Sequence, residues 1–60
     1  MKKLSLQHAR MAYGSLVPWE LDEKDLRIIN RHRAKRGSST EDFQDFLSKV
    51  TKDLWKEAHE

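Results

Sequence analysis

The clearest periodicity in the chain lies toward its C-terminal end, where Phe43, Phe46, Leu47, Val50, Leu54 and Ala58 recur at steps of three and four residues. That spacing places them on one stripe of an α-helix. Ser39 stands where an N-cap belongs, with Asp42 three residues on as a capping-box partner, so a helix is predicted over about residues 40–58. A second helix is predicted over 23–36. Asp22 can cap its first amides, Glu23 and Asp25 favour the positive end of its dipole, and Leu21 with Leu26 has the spacing of a hydrophobic staple. The run then continues without Gly or Pro to a last turn holding Arg33, Lys35 and Arg36, and Gly37 follows where a left-handed residue ends a helix.

Ser5 can cap a short first helix over 6–13, with Leu6, Ala9 and Tyr13 on one side and Gly14 at its end. Between the first two helices Pro18 disfavours helix at Val17, while Leu16, Val17 and Trp19 are bulky for a loop. This linker is therefore expected to pack across the helices. No stretch alternates apolar and polar residues with period two, and no internal repeat occurs, so strands and solenoids are not expected. The pattern specifies an all-α fold in one small domain, residues 1–60, with three helices and the second and third forming an antiparallel hairpin.

Sixty residues bury only about 60% of the surface that the unfolded chain exposes, so the core must be economical. A second subunit would supplement it. A homodimer is accordingly expected, joined through the aromatic linker and the stripe of Phe43, Phe46, Leu47, Val50 and Leu54, a stripe that serves either the dimer or the core. Cysteine is absent, which removes disulfides, thiolate metal sites and cysteine nucleophiles together. His8, His32 and His59 are too far apart in sequence to pair on one helical turn, so neither a metal nor another cofactor is expected. Met1-Lys2-Lys3 resembles the start of a secretion signal, but Gln7, His8 and Arg10 interrupt the apolar run that would have to follow. With no apolar run of membrane-spanning length either, the expected location is the cytoplasm, with no membrane partner.

The net charge of +2 conceals an uneven distribution. Residues 21–37 carry six cations against three carboxylates, and residues 38–60 carry six carboxylates against three cations. Within the basic segment Lys24, Arg27, Arg31 and Lys35 fall on one narrow face of the second helix. Such a ladder can follow a phosphate backbone or meet an acidic protein surface, and Arg33, Arg36 and His32 extend the positive region. It also matches the solvated face of any amphipathic helix whose C-terminal cations complement the dipole. The apolar stripe of the same helix fades after Ile29. Either the stems of Arg33 and Arg36 cover apolar surface, or this half projects toward a partner. Asp53 and Glu57 flank the stripe of the third helix and offer a third fate for the cations, pairing within the chain or between copies.

Two helices joined by Gly37-Ser38-Ser39 have the outline of a helix-turn-helix. The second helix of that motif enters the major groove N-terminus first, and here it would present Glu41 and Asp42 to phosphates. The last helix likewise lacks the basic surface and the Trp-Phe-x-Asn signature of a homeodomain. Nucleic acid, if bound, would be held by the second helix, with Lys2 and Lys3 as a flexible arm. Trp55 lies roughly 110° from the middle of the third-helix stripe. Together with Trp19 in the linker it is a candidate apolar anchor, the alternative being that both cap the core.

Catalysis finds little support in the residues. His32 with Ser38 or Ser39 is the one conceivable nucleophile–base pair, nothing in the spacing orients it, and His32 is expected at the surface. Glu41 and Asp42 point to different sides of a helix, which disfavours a carboxylate dyad. Lys35-Arg36-Gly37-Ser38 is too short to count as a phosphorylation signal. The expected function is thus that of a small non-enzymatic regulator or inhibitor that docks on a larger protein. Lys24, Arg27, Arg31, Arg33, Lys35 and Arg36 supply the contact surface, and Trp19 or Trp55 the anchors. The alternative is a nucleic-acid-binding module on the same basic face. A chain of this kind suits a bacterial or phage accessory protein.

Overall fold

The computed structural model describes residues 3–59, so Lys2, half of the expected flexible arm, lies outside the described residues. Three α-helices make the fold: α1 (Leu6–Tyr13), α2 (Glu23–Arg36) and α3 (Phe43–Ala58), with a 3-10 turn over Gly14–Leu16. Among the described residues there is no strand, and no helix is long and apolar enough to cross a membrane.

The local signals act as the sequence suggests at two of the three helix starts. The Ser5 hydroxyl accepts the His8 amide at the head of α1. Asp22 and Asp25 form a reciprocal capping box at the head of α2, each side chain accepting the other's backbone N–H. The start of α3 departs from expectation. Ser39 does not cap it; its hydroxyl accepts the Glu41 amide at 3.1 Å, and the Glu41 carbonyl accepts an Arg36 guanidinium N–H at 3.2 Å. Those two bonds engage residues 39–41 outside the helix, which begins at Phe43, three residues later than predicted.

Gly37 ends α2 with φ 47° and ψ −121°, the one positive φ among the described residues. Its amide donates to the Arg33 carbonyl at 3.0 Å. An added Cβ would meet only the Ala34 carbonyl oxygen, at an ordinary 3.7 Å, so a side chain is opposed by the backbone conformation and not by crowding. Gly37→Ala is therefore expected to lose about 1–2 kcal/mol of stability, read as a lower urea midpoint at unchanged slope.

All three helices and the linker feed one core. Ala9 and Tyr13 come from α1, Val17 and Leu21 from the linker, Ile28 and Ile29 from α2, and Phe46, Val50 and Leu54 from α3. Leu16 and Trp19 pack against its edge, so the linker crosses the helices as its bulk implied. On α2 the inward residues are Asp25, Ile28 and Ile29, with Leu26 half-buried. One expectation, about the α3 stripe, needs correction. On α3 Phe43 is 52% exposed although it shares the stripe of Leu54, which is 0% exposed. At the head of α3, Phe43 lies outside the core, stacked on Phe46 at 5.9 Å with the Arg36 guanidinium 5.9 Å from its ring.

Candidate docking surface on the second helix

The six cations of α2 have three different fates. Lys24 and Arg31 remain exposed but meet carboxylates of α3, Lys24 Nζ lying 3.2 Å from Glu57 and Arg31 Nη2 lying 4.0 Å from Asp53. Arg33 and Arg36 turn into the fold and are half-buried. One Nη of Arg33 donates to the Tyr13 hydroxyl at 3.3 Å, and the guanidinium of Arg36 sits 5.4 Å from the centre of the Phe46 ring. Their stems cover apolar surface where the α2 stripe fades. The Nε of each is buried without a partner, so these two arginines serve the core and add little to an outer surface. Arg27 and Lys35 are exposed, and no carboxylate among the described residues pairs with either of them. Along the predicted ladder of four, open and shared rungs thus alternate: Lys24 and Arg31 share their charge with α3, while Arg27 and Lys35 do not.

His32 is half-buried where a surface histidine was expected: 15% of its side chain is exposed, and its Nε2 lies 2.6 Å from Asp53 Oδ2. That hydrogen bond, aided by the positive charges of His32, Arg31 and Lys56, holds the Asp53 carboxyl below its ordinary range. Asp22 is held low as well, first by the Asp25 amide. A carboxyl whose folded-state value is depressed adds stability above its unfolded value, and that stability is lost as pH falls through the folded value. Urea midpoints are expected to drop on acidification below about pH 4, and the drop is expected to be shallower in Asp53→Asn and in Asp22→Asn.

Trp19 and Trp55 face each other. Their rings meet edge-to-face at 5.0 Å, the Trp19 Nε1–H donates to Asp25 Oδ2 at 3.3 Å, and Trp55 stacks on His59 at 5.3 Å. This contact ties the linker to the far end of α3. Trp19 is half-buried, while Trp55 keeps 39% exposure.

Two residues that the sequence did not single out shape this side of the molecule. Asp25, read only as a first-turn acid, is 6% exposed and accepts both the Trp19 indole and the Asp22 amide on Oδ2. Its position three residues after Asp22 was the available signal. Asn30 binds the chain entering α1: its Oδ1 accepts the Leu4 amide at 2.9 Å and its Nδ2 donates to the Leu4 carbonyl at 3.3 Å. An amide side chain so placed pairs with the backbone as a neighbouring strand would. Between this entering segment and α2 runs a groove of about 410 Å³, lined by Leu4, Leu26, Asn30 and Ala34, with Lys3, Arg27 and Arg31 along it. Among the described residues no three His, Asp or Glu side chains gather as metal ligands would. Compared with family models, curated proteins and solved structures, the chain matches none.

Proposed function

We propose that this protein is a small cytoplasmic regulator or inhibitor that acts without catalysis, by docking the outward side of α2 on a larger protein. The observation that carries the reading is the state of Arg27 and Lys35, exposed cations that pair with no carboxylate among the described residues. Lys24 and Arg31 support them, because exposed ion pairs are worth only about 0–1 kcal/mol and their cations can turn to a partner's carboxylate at small cost. Arg33 and Arg36 leave the docking set on account of their burial, and Trp19 leaves it because its indole N–H is already used. Trp55 stays as a secondary apolar contact.

The proposal includes an antiparallel α2–α3 hairpin that braces this surface. Contacts supporting it fall in reverse order along the two helices, Lys24 with Glu57, His32 with Asp53 and Arg36 with Phe46. Phe46, Val50 and Leu54, expected from the sequence as a dimer or core stripe, lie in the chain's own core at 0–3% exposure.

Nucleic-acid binding is the second reading, favoured by the narrow face that Lys24, Arg27, Arg31 and Lys35 share. It is the weaker one, because Glu57 and Asp53 stand beside two of the four cations and would meet a phosphate backbone as like charge. Arg27→Glu/Lys35→Glu separates the two readings without removing any internal partner. Affinity capture from cell extract is expected to retain a protein on the wild type and lose it on the variant, with no duplex or single-stranded DNA bound at either of two salt concentrations. Salt-steep DNA binding that the variant abolishes would overturn the protein-docking reading.

A further inference from the structure

The groove beside the open cations specifies a partner more narrowly than its charge does. Resting on the protein-docking reading above, we propose that this groove receives an acidic amphipathic helix of the partner, with an apolar stripe on its floor and carboxylates on both flanks.

Three features of the groove carry the proposal. The first is its lining. Leu4, Leu26 and Ala34 form the apolar part of its floor, with Asn30, whose amide is already bonded to the Leu4 backbone, between the two α2 residues; a phosphate backbone gains nothing from the apolar part and an apolar stripe gains burial there. The second is the placing of the cations. Lys3 belongs to the segment entering α1, and Arg27 and Arg31 belong to α2, so positive charge stands on both walls, complementary to carboxylates on both flanks of a stripe. The third is length. Leu26 to Ala34 is two turns of α2, about 12 Å, which accommodates apolar residues at i, i+3 or i+4, and i+7 of a helix laid alongside.

The backbone of the entering segment argues for a helical occupant over an extended one. Strand addition needs a free N–H and C=O on the receiving chain. Those of Leu4 are both taken by the Asn30 amide. The same two bonds hold Leu4 against α2 before any partner arrives, so ordering that wall costs nothing further on binding.

Ala34→Arg tests the proposal. Ala34 is exposed, so arginine there fills the groove without entering the core, which an unchanged thermal melt would verify, and it raises the positive charge. The probe is a fluorescein-labelled synthetic helix with leucines at i, i+3, i+4 and i+7 flanked by glutamates. Its controls are the same composition scrambled and a version with every leucine replaced by serine. Anisotropy at physiological salt is expected to show the wild type binding the amphipathic peptide at least about tenfold tighter than either control. Ala34→Arg is expected to weaken that binding by at least about tenfold despite its added charge. Equal binding of the serine peptide, unchanged or tighter binding to Ala34→Arg, or no binding by the wild type would each overturn the groove. Capture that survives in the Arg27→Glu/Lys35→Glu variant would instead remove the docking reading itself.

Discussion

Leu54→Ala is expected to lose about 2–5 kcal/mol of folding stability, the range for deleting a leucine side chain from a packed core. Leu54 is 0% exposed and lies in the cluster that joins all three helices and the linker. A sixty-residue domain has about 3–9 kcal/mol to lose, so the variant should lose a large share of its stability and melt at a markedly lower temperature. Far-UV circular dichroism against temperature reads this directly. Phe43→Ala supplies the contrast: Phe43 shares the helical stripe but is 52% exposed, and its loss should shift stability by no more than about 0.5–1 kcal/mol. Equal melts for the two variants would contradict the burial described for α3.

Asp25 gives the second large effect, and its two substitutions should differ. In Asp25→Ala the Trp19 indole N–H and the Asp22 amide lose the oxygen they share, leaving two donors in a half-buried place at a cost of about 1–3 kcal/mol. Asp25→Asn can put its carbonyl oxygen where Oδ2 stood, so both bonds survive and only the favourable charge at the head of α2 is lost, about 0.3–1 kcal/mol. Tryptophan fluorescence during urea unfolding would follow both variants. An asparagine variant as unstable as the alanine one would show that the charge, and not the shared oxygen, holds the linker to α2.

The helices were legible because their signals are local. Periodicity, the Asp22 cap and Gly37 each act within a few residues, and α1 and α2 run over the predicted spans. The start of α3 was not legible, since Ser39 had two amides within reach and the choice depended on Arg36, which holds the Glu41 carbonyl outside the helix. The α2 cations show the same limit. Sequence placed Lys24, Arg27, Arg31 and Lys35 on one face, but which of them meets a carboxylate depends on the packing of α3 against α2, a matter of tertiary contact. Arg33 and Arg36 were open to two readings, and their half-burial, with guanidinium contacts to Tyr13 and Phe46, could not be read from local pattern. Asn30 and Asp25 escaped notice because their partners, Leu4 and Trp19, come from segments whose path over α2 no local pattern encodes.

Mapping by two-dimensional NMR of the 15N-labelled protein tests the central claim, that the outward side of α2 is where this molecule meets its partner. Titrated with the acidic amphipathic peptide, the amides of Leu4, Leu26, Arg27, Asn30 and Ala34 are expected to shift, while those of Val50 and Leu54 stay in place. Shifts confined to α3 or to the tryptophan pair, or a spectrum that responds to duplex DNA and not to the peptide, would contradict it.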